Sequence, residues 1–158
     1  MIRLENGDRF PSLTISALGG GSINLPEALS SSFGVVLIYR GAWCPYCKAQ
    51  LAAFERFSTK FAEANIKVMA FSVDDEAITA ALVAKHGLQF PVGYGVDAAE
   101  IAEATGAYVN DSPRYLQTTG FLLKPDMTVV NAVYSSAAIG RLVPEDVLGM
   151  VDYLKNKK

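Results

Sequence analysis

The run Val35-Val36-Leu37-Ile38-Tyr39 has no polar alternation, and the segment Trp43-Cys44-Pro45-Tyr46-Cys47-Lys48 follows it almost at once. A β-branched apolar run of this kind fits a strand buried on both faces, in the middle of a parallel sheet. From Pro45 to about residue 64 the period changes. Leu51, Phe54, Phe57 or Ser58, and Phe61 recur at three- and four-residue spacing, which predicts one buried helix face, with Lys48, Glu55, Arg56 and Lys60 on the other side. Ile66–Val73 reads as a second strand, and a β-α-β start must cross over right-handed. Few architectures accept a buried strand feeding directly into a helix with two cysteines in its first turn.

The rest of the chain fits the same class. Leu13–Ala17 and Ile23–Leu25 read as a hairpin around Gly19-Gly20-Gly21-Ser22, and Pro26–Ser30 as a helical turn. Asp74-Asp75 caps a predicted helix running to about Lys85 and stopped by Gly87, with His86 at its C-terminus. Phe90–Tyr94 reads as a short strand, Asp97–Thr105 as a helix stopped by Gly106. Thr119–Leu123 and Thr128–Tyr134 read as strands joined by the turn Lys124-Pro125-Asp126-Met127. Pro144, followed by Glu145 and Asp146, opens a C-terminal helix that ends in Lys155–Lys158. Alternating strands and helices predict an α/β fold, a mixed central sheet with helices on both faces. The order matches a thioredoxin-like fold with an N-terminal β-hairpin extension and one inserted helix and strand.

The chain has 158 residues and no Pro/Gly/Ser-rich linker, so residues 1–158 read as a single domain. Fourteen Lys and Arg against 16 Asp and Glu give a net charge of −2, which offers no basic stripe for nucleic acid. No apolar run approaches the ~20 residues that span a bilayer. The N-terminus has acids and a glycine where a signal peptide would be apolar. The expectation is a cytoplasmic protein without nucleic-acid or membrane partners. In that compartment thiols stay reduced, so a close cysteine pair is expected to be catalytic rather than structural. With two cysteines and one histidine, one chain cannot build a four-ligand Cys/His zinc site, and no metal is expected.

The placement of the cysteines points to redox chemistry. Cys44 falls at the N-cap of the helix, where backbone N–H groups carry partial positive charge and favour a thiolate. Pro45 falls at the first helical position, where its missing N–H costs nothing. Cys47, three residues on, lies on the same side of the helix, within the Cα separation that a disulfide requires. Cys44 is then the nucleophile and the more exposed sulfur, Cys47 the more buried partner that closes a redox-active Cys44–Cys47 disulfide. An inert pair of core cysteines, or a cluster shared between two chains, are the alternatives.

The stretch Val35 to Cys47 resembles the active-site segment of the AhpC/TSA family, the peroxiredoxin-like branch of the thioredoxin superfamily. Gly7-Asp8-Arg9-Phe10-Pro11, Phe71-Ser72-Val73-Asp74, Gly87-Leu88-Gln89-Phe90-Pro91 and Phe121-Leu122-Leu123-Lys124-Pro125-Asp126 are similar to flanking segments of that family. The resemblance implies a thiol oxidoreductase that reduces peroxide or disulfide substrates without a prosthetic cofactor. It implies an external thiol reductant, such as thioredoxin or glutathione, and is compatible with a homodimer. Three positions depart from the family pattern. Leu37 and Gly41 stand where a proline and a threonine or serine are usual, and Thr118 stands where an arginine is usual, with Arg114 nearby. Arg40, four residues before Cys44, is the candidate for tuning the thiolate or binding an anionic substrate. Trp43 and Tyr46 flank the cysteines as candidate substrate-contacting aromatics, and Thr118 or Thr119 is expected to pack opposite them. Cys-Pro-Tyr-Cys is also the glutaredoxin motif, but Gln117-Thr118-Thr119-Gly120 lacks the proline expected there. The rival readings are a protein thiol–disulfide reductase with little peroxidase activity and a non-catalytic thioredoxin-fold binding module.

Overall fold

The computed structural model describes residues 3–157. Nine strands and five helices are found among them, in the order β1 (Leu13–Ala17), β2 (Ser22–Leu25), a 3-10 turn (Glu27–Leu29), β3 (Phe33–Ile38), α1 (Pro45–Arg56), α2 (Ser58–Glu63), β4 (Ile66–Phe71), α3 (Glu76–His86), β5 (Val92–Tyr94), α4 (Ala98–Thr105), β6 (Val109–Asp111), β7 (Arg114–Leu116), β8 (Thr119–Leu123), β9 (Val129–Tyr134) and α5 (Pro144–Asn156). Seven strands form one mixed sheet in the order β2-β1-β5-β4-β3-β8-β9. β3 pairs parallel to β4 on one side and antiparallel to β8 on the other. All six of its residues are buried, as the unalternated run predicts. The N-terminal hairpin joins this sheet through β1 and β5.

The alternation of side chains across the strands divides the core into two layers. Val36, Ile38, Met69, Phe71, Phe121 and Leu123 face α4 and the N-terminal hairpin. Val35, Leu37, Tyr39, Val68, Ala70 and Leu122 face α1, α2, α3 and α5, and both cysteines lie in this second layer. The cysteine-bearing helix is therefore anchored on a strand buried along its whole length.

Several predicted boundaries shift, each for a local reason. The helix expected from Pro45 to residue 64 is two helices, because at Phe57 (φ −96°, ψ 10°) the chain tightens and Phe57 N–H bonds the carbonyl of Phe54. The break lets Phe54 and Phe61 both bury, with ring centroids 5.6 Å apart. The first buried strand ends at Ile38 rather than Tyr39, although Tyr39 N–H still donates to Phe71 O. β4 stops at Phe71, not Val73, because the chain then turns and Ser72 O accepts from Val96 N–H. β5 starts at Val92 rather than Phe90, since Pro91 has no N–H for the ladder. β9 starts at Val129, one residue after the expected Thr128, whose N–H is held by the Asp126 side chain. α5 ends at Asn156; Lys158 lies outside the described residues. The β6–β7 hairpin was not expected: three-residue strands with Pro113 between them carry almost no periodic signal. Arg114 sits on it in an exposed pair with Asp111 at 3.6 Å.

Of the two expected cap residues, Asp75 alone caps α3, accepting from Ile78 N–H at 2.9 Å. Asp74 turns the other way and accepts from Ala42 N–H at 2.7 Å, tying the end of β4 to the loop before Cys44. Asp75→Ala should therefore cost about 1 kcal/mol in urea denaturation with unchanged Cys44 alkylation. Asp74→Ala should change the alkylation rate as well.

Candidate active site

The site forms where β3 hands the chain to α1. Cys44 is the N-cap residue (φ −90°, ψ 114°), and its sulfur accepts from Cys47 N–H at 3.3 Å. Pro45 occupies the first turn, as its fixed φ favours. Cys47 Sγ accepts from the backbone N–H of Arg40 at 3.3 Å, so the strand end and the first helical turn hold the pair between them. Both cysteines are free thiols.

The expectation that Cys44 is the more exposed sulfur is corrected: both residues have 0% of their surface exposed. Two guanidinium groups lie against the sulfurs. Arg40 places Nη1 3.7 Å from Cys44 Sγ, with its Nε donating to Gln117 Oε1 at 2.9 Å and Nη2 to Tyr115 OH at 3.0 Å. Its guanidinium also stacks on Trp43 and Tyr115, 4.8 and 5.3 Å from their ring centroids. Arg141 places Nη2 3.1 Å from Cys47 Sγ and 3.7 Å from Cys44 Sγ. Its Nε donates to Ala138 O and its Nη1 to Gln50 Oε1, each at 2.7 Å, while Gln50 Nε2 donates to Leu142 O. The single ion pair among the described residues is that of Arg114 and Asp111, so neither active-site arginine is neutralised by a carboxylate.

These contacts separate the two thiols electrostatically. Burial acts to raise Cys44, but hydrogen bonds from Cys47 and Arg40 and the charge of Arg141 outweigh it and hold the thiol below its usual range. Burial pushes the Cys47 thiol up, and the adjacent Cys44 adds to the rise. Burial also pushes the Tyr39 phenol up to about 12, so it stays protonated through the neutral range. Asp74 is raised by its burial, against the Ala42 hydrogen bond.

The other predicted residues are placed as follows. Trp43 is 53% exposed and Tyr46 55%, so both project from the rim of the site rather than into the core. Trp43 packs edge-on against Tyr115, centroids 4.9 Å apart. Thr119 donates its hydroxyl to Gln117 O; Thr118 is buried with a hydroxyl that has no protein partner. Neither hydroxyl bonds a sulfur. Glycine at position 41 has a steric cause: a Cβ there would lie 2.2 Å from Trp43 Nε1, so the indole fills the space a threonine side chain would need. Arg141, Gln50, Tyr115 and Gln117 were not singled out by the sequence. Arg141 lies 97 residues from Cys44, in the loop between β9 and α5, and no spacing rule joins them.

Removing the positive charge beside Cys44 tests this electrostatic arrangement. In the wild type, iodoacetamide alkylation of Cys44 should persist to lower pH than that of a free cysteine. Arg40→Gln should move the inflection upward and slow alkylation at neutral pH, where a loss of 1.4 kcal/mol in thiolate stabilisation corresponds to about tenfold.

The AhpC/TSA family profile matches residues 6–132. The chain is 26% identical over 174 residues to the alkyl hydroperoxide reductase C of Mycolicibacterium smegmatis, covering 99% of this chain and 87% of that protein. Among solved structures, Mycobacterium bovis AhpC superposes with a TM-score of 0.83 at 21% identity, over 100% of this chain and 96% of the other. The peroxiredoxin 6 of Arenicola marina superposes with a TM-score of 0.81 at 19% identity, over 96% and 74%. At these identities the two structures carry the fold, which matches the mixed sheet and flanking helices described above.

Proposed function

The chain belongs to the AhpC/TSA family, and from that premise we propose a thiol-dependent oxidoreductase in which Cys44 is the nucleophile and Cys47 the resolving thiol. One observation carries the reading. The two thiols sit in one helical turn with their proton affinities pushed apart, Cys44 downward and Cys47 upward, beside two cations that no carboxylate neutralises. With a hydroperoxide, the Cys44 thiolate attacks the distal oxygen, the O–O bond breaks, and the alkoxide leaves and takes up a proton as an alcohol. The sulfur is left as a sulfenic acid. Cys47 then attacks that sulfur, the S–O bond breaks, and water leaves as the Cys44–Cys47 disulfide forms. An external dithiol or two monothiols, of the thioredoxin or glutathione type, return both sulfurs to the reduced state. No prosthetic group enters this sequence.

Arg40 suits the first step, because its guanidinium reaches Cys44 Sγ and is held from the far side by Gln117 and Tyr115. The unpartnered Thr118 hydroxyl, next to Gln117, is the group we assign to a substrate oxygen. Trp43 and Tyr46, both half-exposed, form the apolar rim that an organic substrate would cross.

The same rim supports a second reading, a protein thiol–disulfide reductase, since exposed aromatics beside a buried nucleophile suit a protein or peptide disulfide. A non-catalytic binding module fits less well, because it requires an ordinary Cys44 thiol. Stopped-flow oxidation of the reduced protein by hydrogen peroxide, an organic hydroperoxide and a model disulfide separates these readings. Second-order rates with a hydroperoxide well above that of free cysteine are expected. Fast reaction with the disulfide alone would favour the reductase, and cysteine-like rates with all three would favour the binding module.

A further inference from the structure

We propose that Arg141 serves the second half-reaction, as the cation that makes Cys47 nucleophilic once Cys44 has been oxidised. The inference rests on the redox reading above and gives Arg141, whose charge also favours the Cys44 thiolate, a further role in the step that follows. A single nitrogen, Nη2, lies 3.1 Å from Cys47 Sγ and 3.7 Å from Cys44 Sγ, so it contacts both reacting atoms and stands closer to the resolving one. Its guanidinium is fixed at the other two nitrogens by Ala138 O and Gln50 Oε1, which are neutral acceptors, so its full charge is available to sulfur.

The need for such a group is plain from the surroundings of Cys47. The thiol is completely buried, and burial opposes its ionisation. The charged or titratable groups that act on it are Cys44, Arg40, Arg141 and Tyr39. Arg40 contributes its backbone N–H to Cys47, whereas its guanidinium is directed to Cys44, Gln117 and Tyr115. Arg141 is therefore the one cationic side chain that hydrogen-bonds Cys47 among the described residues. Before oxidation it shares its charge with the Cys44 thiolate. When Cys44 becomes a neutral sulfenic acid, or a mixed disulfide, that anion is gone and the charge is free for Cys47. The Cys47 thiol then loses its proton, its sulfur forms the S–S bond, and the S–O bond of the sulfenic acid breaks. The departing hydroxide takes a proton and leaves as water; with a mixed disulfide, the substrate thiolate leaves instead. The same guanidinium thus follows the negative charge from one sulfur to the other without moving far.

The test uses the single tryptophan, Trp43, next to Cys44, as the fluorescence reporter in stopped flow. With hydrogen peroxide the wild type should show a peroxide-dependent phase followed by a peroxide-independent one, the formation of the internal disulfide. Arg141→Gln should slow the second phase by on the order of tenfold, more than it slows the first, and move its pH inflection upward. Over-oxidised Cys44, as sulfinic acid, should accumulate in mass spectra at excess peroxide. Arg141→Lys should recover part of the second-phase rate, which a purely structural role would not require. Should the Gln variant fail to fold by circular dichroism, Gln50→Leu frees Nη1 while keeping the charge and should likewise slow the second phase. Equal slowing of both phases, or an unchanged second phase, overturns the role given to Arg141. A wild type that reacts with neither peroxide nor a model disulfide would instead sink the redox reading on which the inference rests.

Discussion

Replacing Cys44 by Ser should reduce turnover to the uncatalysed level, a loss of roughly 10³-fold or more, because an alcohol near neutral pH is not ionised and has no adjacent base. The fold should survive the change. Serine is a preferred N-cap residue, and its hydroxyl can accept the Cys47 N–H bond that Cys44 Sγ accepts now. A thermal melt at the wild-type temperature beside a total loss of activity would locate the defect in the chemistry. Cys47→Ser should behave differently: one rapid oxidation of Cys44 per chain, then no internal disulfide. Residual multiple turnover in the Cys44 variant would move the nucleophile elsewhere.

The second large effect concerns the sheet that holds the site. Phe121 lies in the middle of β8, paired with Val36 of β3 and Ala132 of β9, and is completely buried. Its ring meets Phe10 edge-on at 5.3 Å and Tyr134 at 5.7 Å, so it joins the N-terminal segment, the central strand and the last hairpin. Phe121→Ala should cost about 3–5 kcal/mol, combining lost transfer energy with the cavity left by the ring. That is a large part of the ~5–15 kcal/mol that typically holds a domain folded. Urea denaturation should show a lower midpoint with the slope unchanged. A loss under about 1 kcal/mol would mean that the ring is not the packing centre its position suggests.

The core of the site was legible because its determinants are local. A buried strand, a helix period, Pro45 at the first turn and two cysteines three apart all fall between Val35 and Phe61, and the structure places them in those roles. What was not legible depends on chain closure. Arg141 and Gln50 meet across 91 residues, and Arg40 and Gln117 across 77. The β6–β7 hairpin that presents Tyr115 has strands too short for any period to register. Asp74 and Asp75 illustrate a different limit: two adjacent residues with equal capping ability, of which tertiary structure gives one to α3 and the other to Ala42. Burial of Cys44 has the same cause: Arg40 is visible four residues before it, but Arg141, 97 residues away, is not. The glycine at position 41 became intelligible only once Trp43 was seen over it.

The measurement that bears most directly on the thiol pair is the mass and thiol count of the reduced protein after one equivalent of hydroperoxide. The expected result is the loss of both thiols per peroxide, a chain lighter by two hydrogens, and a Cys44–Cys47 bridge within one chain on peptide mapping. Two thiols still titratable, or a disulfide that joins two chains while Cys47 stays reduced, would contradict it.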